Sequence, residues 1–442
     1  MFIPQNRLKS ILSLSFPIVG SMLAQNIMSL IDTAMVGRLG NAALASVGVG
    51  NFMFILVISV LFGINAGVQA LVARRIGEDK PQLAGLDLNA GLVVSMGAGL
   101  VLTFVAYFAL PPLFHAVSDD PQVIQKGIAY LTPRIPSTVL VGCNVAFMAY
   151  WNGVSLPKLS LLTVLIATAV NIIANYLLIF GNLGLPRLET LGAGLGTTIA
   201  TFAASVANIF LGVKHAKKNG FLKGLPDKKR VKTLIQISMP ESIRNVLSFA
   251  GLMAVFAIVS LLGTLELAAY NVILNIMLVA ILPAHGMGVT AITLVGQALG
   301  RKEPLDAKNW GWEVAQTGSG VLILFSIVVF IFPGQIISLF IPDPETVAVA
   351  ILPLRILAAS IWLEAFGRII SFALIGAGAT KIVMVWTLGT QWILALPLTW
   401  LVAVYLGYSL AGVFVVSMAT IALRTVAFSI LWHREGWRAI AI

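Results

Sequence analysis

Asp32 is a carboxylate inside an otherwise apolar segment near the beginning of the chain. It shares a helical spacing with Ser21, Gln25 and Ser29, which predicts a polar stripe along one face of a helix. No Lys or Arg lies three or four residues away from Asp32 to form a local ion pair. Because burial disfavours the charged form of a carboxylate, such a group is suited to binding and releasing a proton. The alternative is an Asp close enough to the end of its helix to be hydrated.

Two later apolar segments carry polar side chains that could complete a site around Asp32. In the fifth segment, Asn171 and Asn175 lie about one helical turn apart. In the sixth segment, Thr197 and Thr201 have the same spacing. Their amide and hydroxyl oxygens can share a proton, or a sodium ion, with a carboxylate. Thr hydroxyls in membrane helices also commonly bond to their own helix, so the two threonines have a structural alternative.

Three further residues in apolar segments have both a functional and a structural interpretation. Pro17 precedes Asp32 in the same segment, and a proline inside a helix removes one backbone hydrogen bond and permits a bend. Glu364 and Arg368 are four residues apart, a spacing that permits a local ion pair. Pairing lowers the cost of burying both charges, so these two are secondary functional candidates.

The composition identifies the elements that must hold these residues. The chain has 442 residues, of which 59% are hydrophobic and only 10% are charged. Twelve apolar segments are long enough to span a bilayer as helices. They are residues 10–36, 46–73, 87–110, 128–152, 159–180, 191–213, 233–262, 269–298, 311–333, 347–375, 381–405 and 409–432. The sequence therefore predicts an all-α membrane protein with twelve transmembrane helices.

The second half of the chain repeats the first. An offset of 223 residues places Gly40 on Gly263 and brings many other Gly and Pro residues into register. With six segments per half, both halves enter the membrane in the same sense, which predicts two bundles related by a pseudo-twofold axis along the membrane normal. Asp32 falls on Val255, so its charge belongs to the first half alone. The predicted domains are an N-terminal bundle at 1–213, a linker at 214–232 and a C-terminal bundle at 233–442.

The net charge of +11 is distributed in a way that orients a membrane protein. The linker at 214–232 holds eight Lys and Arg residues against one Asp. By the positive-inside rule, the linker and both termini are expected in the cytoplasm, as in a multi-pass protein of the bacterial inner membrane. The basic run could also contact anionic membrane lipid, and we expect no nucleic acid partner.

The sequence contains no motif of an enzyme active site. A nucleotide-binding glycine loop, a zinc motif and a nucleophile elbow are all missing from it, so we expect neither catalysis nor a cofactor. The single cysteine, Cys143, cannot form an intrachain disulfide. We expect a monomer.

Over essentially its whole length, the chain resembles the MATE family of multidrug and toxin extrusion transporters. The resemblance rests on two sets of six segments, on the segment from Asp32 to Gly40 (DTAMVGRLG) and on that from Gly376 to Lys381 (GAGATK). The pattern is most similar to the DinF-type branch, in which a first-helix Asp is the coupling residue and a first-helix Pro forms the bend. The resemblance implies these roles for Asp32 and Pro17.

The same resemblance bears on the coupling ion. DinF-type proteins commonly have Asn-x-x-x-Asp in the fifth helix, which forms a cation site with the first-helix Asp and a sixth-helix Thr. This chain matches at Asn171 and Thr201 but has Asn175 in place of that Asp. Because sodium prefers charged oxygens, a proton on Asp32 is favoured, with sodium as the alternative. The NorM-type branch instead uses acids in the seventh and tenth helices, and only Glu364 lies near such a position here.

These features predict an antiporter that exports small amphipathic, cationic compounds in exchange for H⁺. Its cavity between the two halves is expected to be lined by Gln25, Met28, Ser29, Tyr130, Asn144, Met148 and Thr197. Three other classes remain open. A lipid-linked saccharide flippase of the same superfamily would carry more cationic side chains facing its cavity. A major facilitator-type carrier would carry a Gly-Asp-Arg-rich loop after its second helix, and an ion channel would need a continuous polar path.

Overall fold

The structure is a computed structural model that describes residues 3–341 and 343–440. All regular structure in those residues is helical, which confirms the predicted all-α class. The α-helices are α1 (Gln5–Gly37), α2 (Asn41–Gly77), α3 (Pro81–Val117), α4 (Pro121–Leu131), α5 (Arg134–Gly153), α6 (Pro157–Phe180), α7 (Glu189–Leu211), α8 (Lys228–Ser260), α9 (Thr264–Gly300), α10 (Pro304–Ile331), α11 (Pro333–Ser338), α12 (Pro344–Gly376), α13 (Thr380–Leu388), α14 (Leu396–Trp400) and α15 (Ser409–His433).

The membrane-spanning helices agree with the predicted segments. Among the described residues, 11 helices are long and apolar enough to cross a bilayer, and one of them runs from Thr380 to Tyr405 through α13, α14 and two π-helical turns. The remaining predicted segment is the fourth, 128–152, which overlaps the 20 residues of α5. The sequence therefore predicted the positions of the 11 long helices found in the described residues.

Helix boundaries repeat with the offset seen in the sequence. Both α2 and α9 have 37 residues, and each begins one residue after a glycine of the repeat. Gly40 has φ 102° and Gly263 has φ 138°, values in the left-handed region that residues with a side chain rarely adopt. The glycines thus set the same sharp turn between the first and second helix of each half.

The fourth predicted segment differs from the expectation of one helix over 128–152. The structure interrupts it, because α4 ends at Leu131 and α5 begins at Arg134. Pro133 lies in the interruption, where its ring and missing N–H oppose a continuous helix. Its counterpart in the second half is Ile356, and there α12 continues without a break. The interruption is therefore specific to the first half.

Packing divides the chain into two compact units at equivalent points of the repeat. The first-half unit comprises Gly20–Ser242, and the second-half unit comprises the residues up to Val19 together with Ile243–Ile442. The first segment of α1 therefore packs with the second-half helices, and the first segment of α8 packs with the first-half helices. The lobes at 1–213 and 233–442 and the linker at 214–232 stay a prediction.

Arginines at equivalent positions hold these two exchanged segments. Arg230 on α8 donates to the Oδ1 atom of Asp87 at 2.5 Å, and Asp87 is fully buried. Arg7 on α1 donates to Asp306 Oδ1 at 2.6 Å and to the carboxylate of Glu313. Arg230 thus pairs with an acid on α3, and Arg7 pairs with acids on α10, which is the equivalent helix of the second half.

We expect the Arg230→Met variant to be less stable by about 3–5 kcal/mol, because it removes the nearer of the two cations that neutralise a buried carboxylate. Arg75 then remains as the more distant cation, with its Nε atom 3.5 Å from Asp87. Thermal unfolding of the detergent-purified protein measures this loss. Lys229→Met is the matched control, since Lys229 is exposed on the same helix. Equal unfolding temperatures for the two variants would show that the Arg230–Asp87 pair does not stabilise the fold.

Candidate functional site

The first-half unit brings Asp32 together with the two fifth-segment asparagines. Asp32 lies in the C-terminal part of α1, and its side chain is half-buried. Its Oδ1 atom accepts a hydrogen bond from Asn175 Nδ2 at 2.6 Å. The same Nδ2 atom donates to Asn171 Oδ1 at 3.3 Å. Both asparagines lie on α6 and are fully buried, so three of the four predicted coupling residues form one hydrogen-bonded cluster.

Two polar atoms of this cluster are buried without a hydrogen-bond partner in the described structure. They are the Oδ1 atom of Asn175 and the Nδ2 atom of Asn171. A buried amide with an unused acceptor or donor is costly, so such atoms usually have a second arrangement or a ligand that satisfies them. The free acceptor of Asn175 belongs to the same amide that donates to Asp32.

Helix α7 packs closely against the Asn175 amide. Gly196 on α7 faces Asn175, and a Cβ atom at Gly196 would overlap the Asn175 Oδ1 atom. A glycine is therefore needed here because the backbone of α7 approaches the amide so closely. This contact was not visible in the sequence, where Gly196 is one of 40 glycines.

We expect Gly196→Ala to displace the Asn175 amide and to reduce transport. Inserting a methyl group into a packed contact costs about 1–3 kcal/mol, and here the displaced group is the hydrogen-bond donor to Asp32. Transport per correctly folded molecule in proteoliposomes measures the effect. The control is Gly97→Ala on α3, where nothing lies within 4 Å of the added atom. Wild-type transport in Gly196→Ala would show that the amide position is unimportant.

A cation near Asp32 corrects the view of an isolated carboxylate. Arg134, the first residue of α5, is buried and interacts electrostatically with Asp32. Its guanidinium group donates to the Tyr130 hydroxyl and, at 3.1 Å, to Asn51 Oδ1. It also lies over the ring of Phe54, 4.2 Å from the centroid. The local spacing around Asp32 excluded only neighbours on its own helix, and this cation comes from another.

Thr201 and Thr197 bond to their own helix. The Thr201 hydroxyl donates to the Thr197 carbonyl at 2.8 Å, and the Thr197 hydroxyl donates to the Ala193 carbonyl at 3.0 Å. Asn144 donates to the Thr201 carbonyl at 3.0 Å and accepts from Asn208 at 3.1 Å. These residues form a network separate from the bonds of the Asp32 cluster, and a coupling role for Thr201 stays a prediction.

The remaining predicted residues differ in exposure. Gln25 and Ser29 are exposed, whereas Met28 and Met148 are half-buried. Tyr130 is buried, and Arg134 donates a hydrogen bond to its hydroxyl. Pro17 is an interior residue of α1 and belongs to the second-half unit. The role of Pro17 in bending and the cavity roles of the others stay predictions.

The second-half candidates form a larger ion cluster than predicted. Arg368 Nη2 donates to Glu364 Oε1 at 2.5 Å, as the spacing of four residues permits. Arg424 on α15 donates to the other carboxylate oxygen at 2.7 Å. Helical spacing does not identify Arg424 as a partner, because it lies 60 residues beyond Glu364.

Comparison with known proteins explains the repeated architecture. The MatE family model matches residues 17–177 and again residues 240–401, so its two matches begin at equivalent positions of the repeat. The chain belongs to the MatE family. The predicted MATE resemblance is thereby confirmed.

Proteins of other bacteria align over most of this chain. A probable multidrug resistance protein NorM of Mannheimia succiniciproducens is 26% identical over 408 residues, which cover 89% of this chain and 86% of the relative. A probable multidrug resistance protein NorM of Thermotoga maritima is 24% identical and covers 100% of this chain and 95% of the relative.

A solved structure shows the same fold. It is an outward-facing multidrug resistance MATE family transporter of the MOP superfamily. Its TM-score is 0.88 at 19% identity, over 97% of this chain and 95% of that one. At this identity the likeness establishes the fold of the MatE-family chain, with its repeated helical bundles.

Proposed function

We propose that this protein is a multidrug efflux antiporter of the bacterial inner membrane that exports amphipathic organic cations in exchange for protons. Membership of the MatE family supports transport, and the names of the NorM relatives support multidrug substrates. The observation that carries the coupling mechanism is the 2.6 Å hydrogen bond from Asn175 to the carboxylate of Asp32. Both termini are expected to be cytoplasmic, as the basic linker implies.

Protonation of Asp32 changes the hydrogen-bonding group that Asn175 must supply, from a donor to an acceptor. The ionised carboxylate only accepts hydrogen bonds, and it is bound by the Nδ2 atom of Asn175. A protonated carboxyl group has an O–H donor that requires an acceptor. Asn175 can supply one by turning its amide, because its Oδ1 atom is free of other hydrogen bonds. That turn withdraws Nδ2 from Asn171, so one proton rearranges the contact between α1 and α6.

Because Arg134 lies near Asp32, protonation of Asp32 also changes the net charge of the site. When Asp32 is ionised, its charge and that of Arg134 offset each other. When Asp32 is protonated, the positive charge of Arg134 remains and repels an organic cation. Proton and substrate therefore favour different charge states of the same site. A ligand shifts an equilibrium only through such a difference in affinity, which is the requirement for exchange.

The donor set favours a proton over sodium. A hard cation is bound best by several oxygens, including charged ones, whereas a proton needs only one carboxylate and one acceptor. The Asp32 cluster has one carboxylate and two amides, and Arg134 adds a positive charge that opposes a bound metal cation. Sodium bound at Asp32, Asn171, Asn175 and Thr201 is the alternative. Because Asp32, Asn171 and Thr201 match the pattern of the DinF-type branch, we retain the assignment to that branch as a proposal.

Transport by the purified protein in liposomes tests the proposal. An imposed pH gradient, acidic on the side to which the substrate is exported, is expected to drive uphill movement of a fluorescent organic cation in sodium-free buffer. The movement should collapse when a protonophore dissipates the gradient. Transport that requires a sodium gradient and ignores the pH gradient would contradict proton coupling.

A further inference from the structure

The ion cluster of Glu364, Arg368 and Arg424 has one more positive than negative charge. Glu364 is buried, and each of its carboxylate oxygens accepts from a different arginine. Within the described residues, Glu364 is the hydrogen-bond acceptor for both guanidinium groups. Arginine is effectively always protonated in proteins, so one cationic charge of the cluster is not compensated by Glu364.

An uncompensated charge within membrane-spanning helices requires an explanation. The cluster lies inside two membrane-spanning helices, Glu364 and Arg368 in α12 and Arg424 in α15. Charged residues in such helices are costly and generally face a partner or an aqueous cavity. Neutralising the single charge of Glu364 would require only one arginine. The second arginine therefore leaves one positive charge of the cluster available to a further anion.

The guanidinium groups retain both access and hydrogen-bonding capacity. The Arg368 and Arg424 side chains are each 26% exposed, whereas that of Glu364 is 11% exposed. The Nε atom of Arg368 is buried without a partner. Glu364 and Arg368 also line a cavity of about 10 Å³ with Ser360, which has room for about one water molecule. Close packing therefore does not seal the cluster.

The repeat shows that the cluster is not required by the fold. The counterparts of Glu364 and Arg368 in the first half are Val141 and Val145. The last helix aligns with an offset of 219, at which Ala419–Thr420 match Ala200–Thr201, and the counterpart of Arg424 is Ser205. The same bundle thus forms with uncharged residues at all three positions. The three charged residues are therefore specific to the second half.

We propose that Arg368 and Arg424 form an anion site in the second-half unit that binds the carboxylate of an amphipathic substrate. This proposal rests on the proposed function and refines its substrate class, since a zwitterion would be a substrate as well as a simple cation. Arginine suits the role because its planar group presents several N–H donors to carboxylate oxygens. Glu364 orients both guanidinium groups and limits the net charge of the empty site.

Binding of a matched pair of dyes to the purified protein tests the site. Rhodamine B has a free carboxylate, and rhodamine B ethyl ester has the same ring system without it. We expect Arg424→Gln to weaken binding of the acid by at least about tenfold, as for loss of a charge-assisted hydrogen bond. The ester should change by less than about twofold. Arg355→Gln is the control, because Arg355 is exposed on α12 and makes no hydrogen bond to Glu364.

A second variant distinguishes binding from damage to the fold. Glu364→Gln keeps the size of the side chain and removes the competing carboxylate, so it should tighten binding of the acid by several-fold. A damaged protein would not gain affinity for one dye of the pair. Equal losses for acid and ester in Arg424→Gln, or no change for either, would overturn the anion site.

A change in the chloride content of the buffer distinguishes a substrate carboxylate from an inorganic anion at the site. Replacement of sodium chloride by an uncharged osmolyte should leave selective binding of the acid intact if the site takes the substrate carboxylate. If chloride instead strengthens binding of both dyes, and Arg424→Gln abolishes that effect, the site holds an inorganic anion and the assignment is overturned. Absence of proton-driven transport of both dyes by the wild type would contradict the proposed function, while the binding measurements still decide the anion site.

Discussion

In proteoliposomes, the Asp32→Asn variant is expected to bind substrate and yet to show no transport driven by a pH gradient. Asparagine keeps the size of the side chain and cannot gain or lose a proton near neutral pH. Its amide can still hydrogen-bond Asn175, so the packing of α1 against α6 should survive. The variant would therefore be fixed in a single charge state, and exchange requires two.

The control for this variant is Asp119→Asn. Asp119 is an exposed acid of the first-half unit, outside the membrane-spanning helices. It should retain wild-type transport. Proton-driven efflux by Asp32→Asn at the wild-type rate would show that the coupling proton is carried elsewhere, and Glu364 would then become the next acid to test.

The second large effect is expected for Asn175→Asp, which should make transport respond to sodium. The substitution places a second carboxylate at hydrogen-bond distance from Asp32, in a position where the amide now lies 2.6 Å away. Two adjacent carboxylates are both ionised only when a cation lies between them, and otherwise they share a proton. With two charged oxygens available, a sodium ion gains the ligands that the wild-type cluster lacks.

Substrate efflux measured at constant pH with and without a sodium gradient checks this result. Wild type should be insensitive to sodium, and Asn175→Asp should be stimulated by it. Asn271→Asp is the control, since Asn271 is an exposed asparagine of α9 in the other compact unit. If neither wild type nor Asn175→Asp responds to sodium, the count of carboxylates does not select the coupling ion.

The architecture was readable from the sequence because its signals are local or periodic. Long apolar segments give the helices, and Gly40 with Gly263 marks equivalent turns of the repeat. The interruption before α5 was missed, although Pro133 stands at it, because an apolar run continues on both sides. Assignment of the first segments of α1 and α8 to the opposite unit could not be read from the chain, since it depends on contacts between distant residues.

Candidate site residues could be predicted where the pattern of polar residues lies within a single helix. Asp32, Asn171 and Asn175 were found because polar residues recur at helical spacing in apolar segments. That Asp32 and Asn175, 143 positions apart, belong to one site was an expectation supported by the family resemblance. Arg134 and Arg424 were not predicted as partners of these acids, for a common physical reason. Each contacts its acid from a different helix, and helical spacing reports only neighbours on the same one.

Proton release on substrate binding is the most direct measurement of the mechanism. The purified protein is placed in weakly buffered detergent solution at a pH where Asp32 is protonated, and an organic cation is added. Wild type should release protons in proportion to the substrate bound, and Asp32→Asn should bind without releasing any. Equal release from both proteins, or substrate binding by wild type with no release at any pH, would contradict exchange at this carboxylate.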